Sequence, residues 1–204
     1  MTTAFQTVID YAESISINKR KKVAQTTSRD GVVRSTSLGG QVWEFEVKMP
    51  DGMPWTTMRP LIEQMEALDR TSQGVIRINR PGQSWITGYQ GNYASTSSIT
   101  ASFTSGNTIN LISGPVLTTG NKFKAGDLVQ LGSAGKVYSV AADVPVSSSI
   151  ITLNRPVRDS TGTYSLVVGQ AVSWTVICTN FPQWNIFSRN QVSWSGPFTF
   201  SEVL

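Results

Sequence analysis

Alternation with a period of two constrains this chain more than any other feature. Between Gln41 and Met49, Trp43, Phe45, Val47 and Met49 fall on one side, and Val42, Glu44, Glu46 and Lys48 on the other. A strand sends successive side chains to opposite faces, so this spacing predicts a half-buried strand with a polar outer face. Ser14-Ile15-Ser16-Ile17-Asn18 alternates in the same way. Ser28-Arg29-Asp30-Gly31 and Leu38-Gly39-Gly40 read as turns between the two. The chain is therefore expected to be mainly β.

One stretch carries helical spacing instead. Leu61, Ile62, Met65 and Leu68 form one apolar stripe, with Glu63, Gln64 and Glu66 elsewhere. Thr57 is the expected N-cap, Pro60 is placed in the first turn, and Ser72-Gln73-Gly74 ends the segment. The reading is a single helix over about 57–69, between strands, with Val75 to Asn79 returning to strand.

The texture changes near Gly88. Residues 92–113 are crowded with Ser and Thr, a composition compatible with a linker. Ile99, Ala101 and Phe103 alternate inside the run, which favours a strand entering a new module. From there short apolar stretches, Thr108 to Ile112 through Ala171 to Val176, are punctuated by Gly106-Asn107, Gly120-Asn121, Gly126-Asp127 and Gly169. Such spacing predicts a small barrel or sandwich, of the size of an OB-type barrel. After Thr179 large apolar residues return: Trp184, Ile186, Phe187, Trp194, Phe198 and Phe200. Too short to fold alone, this tail is expected to complete the first domain. The expected division is 1–87 with 177–204, interrupted by an insertion over 88–176.

Composition narrows function. The chain of 204 residues contains no histidine, which removes Ser-His-Asp and Cys-His catalysis and the commonest transition-metal ligand. No Walker A pattern, G-x-S-x-G elbow or C-x-x-C pair is present. Glu44 and Glu46 share a strand face. Catalysis by such a pair needs a cleft and shifted pKa values, and the plainer reading is a solubilising face. Asp127 and Asp143 stand isolated in turns, without EF-hand spacing. The expectation is a protein that is not an enzyme and holds no cofactor or metal.

Cys178 is the one cysteine, so no intrachain disulfide forms, and its apolar neighbours mark it as a small packed hydrophobe. The N-terminus lacks the basic-then-apolar pattern of a signal peptide, and no run reaches the about 18 apolar residues of a membrane helix. Synthesis in the cytoplasm without membrane insertion is expected.

Charged residues make up 15% of the chain, against the typical quarter, and a surface so poor in charge is poorly defended against association. The net charge is +4. Lys19-Arg20-Lys21-Lys22 is the one dense basic run. One reading is a solvated turn; the other is contact with an acidic polymer or partner face. Trp85, Trp174, Trp184 and Trp194 have two readings as well: core or interface anchors, or platforms that stack on sugars or bases.

The layout resembles the distal tail proteins of siphophages, in the short form that carries an OB-type insertion. Gln41-Val42-Trp43-Glu44-Phe45-Glu46-Val47 and the helix Met58 to Leu68 look like that family's β-sandwich-like, tail-tube-type domain. Phe123-Lys124-Ala125-Gly126-Asp127-Leu128-Val129-Gln130-Leu131, with Lys136-Val137-Tyr138-Ser139-Val140, resembles a barrel segment of phage tail-tip proteins. Arg155-Pro156-Val157-Arg158 and Gly169 to Val176 fit the same pattern. The resemblance implies a virion structural protein at the phage tail tip: a homo-oligomeric, hexameric ring between the tail tube protein and the baseplate hub. Phage DNA would pass through its lumen without specific recognition. Lys19, Arg20, Lys21 and Lys22, on an Asn18 to Leu38 hairpin, are the candidate contacts to a partner or the lumen. The alternative function is an OB-type module that binds carbohydrate or nucleic acid.

Overall fold

The computed structural model describes residues 3–20, 23–37, 41–68, 71–187 and 189–204. Among the described residues strand takes 41% and helix 15%, so the fold is mainly β. The chain forms two compact units, 1–74 with 176–204, and 75–175. Residues 75–87, read from the sequence as part of the first domain, group with the second unit. The Thr87 hydroxyl donates to the Ile78 carbonyl at 2.8 Å, and the Gln170 side chain donates to the Ser84 carbonyl at 3.2 Å.

The first unit opens with α1 (Ala4–Tyr11). Thr3 caps it, its hydroxyl accepting the Gln6 N–H at 3.3 Å. β1 (Ser14–Asn18), β2 (Val23–Thr27), β3 (Val33–Ser37), β4 (Glu44–Lys48) and the short β5 (Met53–Pro54) follow. Then come α2 (Trp55–Ala67) and β6 (Gln73–Ile76). There are thus two α-helices among the described residues, where the sequence reading expected one. Phe5, Val8, Ile9 and Ala12 are all buried and stand at i, i+3, i+4 and i+7, so the amphipathic signal of α1 is present but short.

The second helix begins earlier than expected. Its N-cap is Pro54, and Thr57 lies inside the first turn. Pro60 consequently sits beyond the first turn, on the exposed side, where water can serve the carbonyl that its missing N–H leaves unpaired. Met58, Leu61, Ile62 and Met65 are buried, as the apolar stripe requires.

The second unit holds β7 (Thr100–Phe103), β8 (Thr108–Ser113), β9 (Asn121–Phe123), β10 (Leu128–Leu131), β11 (Val137–Ser139), β12 (Val144–Pro145), β13 (Ile150–Thr152) and β14 (Gly162–Val168). The Ser/Thr-rich stretch is strand at β7, with Ile99, Ala101 and Phe103 buried. Six of these strands form one antiparallel sheet in the order β11-β10-β14-β7-β8-β13. Beyond its two end strands Val140 bridges Leu153, Ala141 N–H donates to Thr152 at 2.8 Å, and Asn154 N–H donates to Ser139 at 2.9 Å. The sheet therefore curls until its ends meet, around Phe123, Val129, Leu131, Tyr138, Ile151 and Leu166.

Every side chain of β10 is buried, including the polar Gln130. Its amide donates to the carbonyls of Gly135 at 2.7 Å and Ser173 at 3.1 Å, and accepts the Ser173 N–H at 3.1 Å. Buried Asp127 accepts the N–H groups of Gln90 and Lys124, each at 2.8 Å. Both are hydrogen-bonded, as burial of polar groups demands.

β15 (Trp174–Asn180), β16 (Trp184–Phe187), β17 (Gln191–Trp194) and β18 (Phe198–Glu202) return the chain to the first unit. Its main sheet has the order β1-β4-β18-β15-β6. In register, Phe45 lies opposite Phe200 and Val47 opposite Phe198. The Phe5 ring of α1 packs 5.3 Å from Phe200, which sets α1 on the apolar face of this sheet. A smaller sheet, β16-β17-β5, is turned by Arg189 and Asn190, both at positive φ.

Candidate partner-contact surface

The basic run follows β1. Asn18 ends that strand by accepting the Arg20 N–H on its side-chain oxygen at 3.0 Å, a local turn of the kind Asn favours. Lys19 is half-buried, with its ammonium 5.1 Å from the centre of the Trp43 ring. Its carbonyl accepts the Gln41 side-chain N–H at 2.5 Å. Burial lowers the Lys19 pKa, because desolvation disfavours the charged form. Arg20 is exposed. Lys21 and Lys22, and the expected Leu38-Gly39-Gly40 turn, lie outside the described residues. Of the basic run, then, Lys19 is fixed against Trp43 and Arg20 faces solvent.

Beyond the run stands the β2–β3 hairpin. Thr27 pairs with Val33 and Val23 with Ser37, and neither strand pairs with another among the described residues. The tip is tightly made. Ser28 exchanges bonds with Val32, N–H to carbonyl at 2.9 Å and hydroxyl from N–H at 3.2 Å, while Gly31 takes the positive φ of 77° that closes the turn. All side chains from Val23 to Thr36 are exposed, on both faces of the ribbon. Val32 and Val33 are 54% and 61% exposed, which places apolar surface in water beside Arg29 and Arg34. An isolated two-stranded hairpin is marginal in water, so this ribbon gains from a covering partner.

The tryptophans separate. Trp174 is buried in the core, and Trp184 and Trp194 are half-buried. Trp85 is 74% exposed, its indole N–H held by the Gly82 carbonyl at 3.0 Å. Ile186 and Phe187, on the edge strand β16, are also exposed. Nothing in the local sequence marks these three as exposed, since the same residue types fill the core elsewhere. Glu44 and Glu46 share the outer face of β4, with Glu44 half-buried and Glu46 exposed. Among the described residues no group of three His, Cys, Asp or Glu is placed to hold a metal, and no helix is long and apolar enough to cross a membrane.

No family model matches the chain, and no curated protein matches it.

Proposed function

We propose that this chain is a non-catalytic ring subunit of a siphophage tail tip, joining the tail tube to the baseplate hub. The observation that carries the reading is the free-standing β2–β3 hairpin, exposed on both faces. A ring closes through head-to-tail contacts, each subunit offering two different surfaces. A protruding ribbon with unpaired edges is a natural donor for one of them. Exposed Ile186 and Phe187 on β16 add a second apolar surface on the same unit. The ring-forming work is thus assigned to the sandwich-like unit 1–74 with 176–204, and Arg20 and the hairpin to the contact. A hexamer, with DNA passing through its lumen, follows from the family resemblance and not from these contacts.

The inserted unit fits a small closed barrel, supported by the hydrogen bonds that join its end strands. Its six strands are one more than an OB-type barrel has. That closure also favours the second reading, a barrel module that binds carbohydrate or nucleic acid. The presence of the exposed hairpin on the other unit ranks it below the ring.

The test is electron microscopy of the full chain, alone and mixed with tail tubes, beside a variant in which Ser28–Gly31 is replaced by a two-residue turn. Rings or capped tubes from the parent chain, lost in the variant, are expected. A chain that stays monomeric and leaves tube ends bare overturns the proposal.

A further inference from the structure

The polar outer face of β1 and β4 carries an open cleft of about 370 Å³. Cross-strand register builds its floor: Ser16 lies opposite Glu46, and Ser14 opposite Lys48. Asp51, just after β4, closes one side, and Trp194 and Ser195 from β17 and its following loop close another. One Asp51 oxygen accepts the Trp194 backbone N–H at 2.9 Å, which ties the two walls together. The indole packs against Phe198 and Phe181, 5.0 Å and 6.2 Å from it, centre to centre.

The cleft is rich in unused acceptors. Glu46 and the second oxygen of Asp51 have no hydrogen-bond or ion-pair partner among the described residues, and neither do the hydroxyls of Ser14 and Ser16. The ammonium at its rim, Lys48, is engaged by Glu13 at 3.1 Å. Two carboxylates repel an anionic ligand, and a bare metal cation would leave the aromatic wall unused. A wholly apolar ligand would leave the carboxylates desolvated and unpaired. Acceptors beside an aromatic wall match a molecule with several hydroxyl donors and one apolar face. A volume of this order is at the lower end of small-ligand sites.

We propose that this cleft binds a neutral saccharide, its ring against the Trp194 indole and its hydroxyls donating to Glu46 and Asp51, with Ser14 and Ser16 completing the contacts. The inference does not rest on the ring reading.

The test uses the full chain on an array of neutral hexose and N-acetylhexosamine oligosaccharides, followed by titration calorimetry with the strongest binder. Ser16→Arg fills the cleft from an exposed strand position, and Glu46→Ala removes the main acceptor. Trp194→Phe keeps an aromatic wall if a smaller residue unfolds the chain. Because hydrogen bonds to a charged group are strong, Glu46→Ala is expected to weaken binding about tenfold or more, and Ser16→Arg to abolish it, with the unfolding midpoint retained in both. The proposal is overturned if no neutral saccharide binds, or if binding survives both substitutions. It is equally overturned if Ser16→Arg instead removes self-association or binding of a basic peptide.

Discussion

The Tyr138 hydroxyl donates to the Asp159 carboxylate at 2.7 Å and accepts the Arg158 N–H at 2.8 Å. Tyr138 is fully buried on β11, and Asp159 also accepts the Lys136 N–H at 3.1 Å. The Arg155 guanidinium lies 5.1 Å from the same ring and donates to the Val137 carbonyl at 2.9 Å. The loop after β13 is thus fastened to β11 by polar groups that are largely out of water. Tyr138→Phe leaves the Arg158 N–H without its partner and the Asp159 Oδ2 with only the longer bond from the Lys136 N–H at 3.3 Å. The expected cost is about 1–3 kcal/mol, read as a shift of the urea midpoint. A midpoint equal to the parent's would show that water replaces the hydroxyl.

Three phenols, Tyr89, Tyr93 and Tyr138, link stability to alkaline pH, and burial raises the pKa of each. Burial, opposed in part by the Tyr93 N–H and helped by Asp127, pushes the Tyr89 pKa from 10.0 up to about 12. Burial, followed by the bond to Asp159, pushes that of Tyr138 higher still. A raised native pKa means that the folded state holds the proton more tightly than the unfolded state. The resulting stability is whole below pH 10, the ordinary value, and is lost as pH rises toward 12. Denaturation midpoints measured across that window should fall, and phenolate absorbance should show Tyr89, Tyr93 and Tyr138 titrating late. Tyr89→Phe should flatten the fall.

Gly74 and Phe5 are in direct opposition. A Cβ at Gly74 would run into the buried Phe5 ring, which is packed against Phe200 and has no room to withdraw. Gly74→Ala should therefore destabilise the chain by about 1–3 kcal/mol, the usual range for overpacking. Phe5→Leu in the same chain should recover part of that loss, and a thermal-melt double-mutant cycle measures the coupling. Strict additivity would contradict the contact.

Cys178 offers a native probe of opening. It is 5% exposed, and its thiol donates to the Asn180 carbonyl at 3.4 Å. Reaction with a disulfide reagent should be slow in buffer and rise with denaturant in step with unfolding of the main sheet. Rapid labelling in buffer would show that the end of β15 frays.

Deleting the hairpin tip should leave the fold intact, since no described residue packs on it; the unfolding midpoint should move by less than about 1 kcal/mol equivalent, while assembly is lost. A large loss of stability would show the ribbon to be part of the core.

Much of the β architecture is legible in the chain itself, because strand alternation is local. Trp43, Phe45, Val47 and Met49 are buried together, and Ile99, Ala101 and Phe103 mark a strand inside a run that looks like a linker. The helix α2 is legible too, though its start shifts to Trp55, since Thr57 makes as good a cap by composition as Pro54 does by position. The α1 helix is written at Phe5, Val8, Ile9 and Ala12, but two turns of period are a weak signal beside a β-rich background.

Of the candidate contact surface, the sequence by itself determined the basic run and the turn at Ser28–Gly31. Tertiary structure decided that Lys19 turns back onto Trp43, and that both faces of the hairpin remain in water. It also decided that Glu46, from the first quarter of the chain, shares a cleft with Trp194 from the last. The physical reason is common to all three. Periodicity reports which face of an element is apolar, but not which distant element covers it. That choice, like the meeting of β11 with β13, is made by hydrogen bonds and packing between residues far apart in sequence.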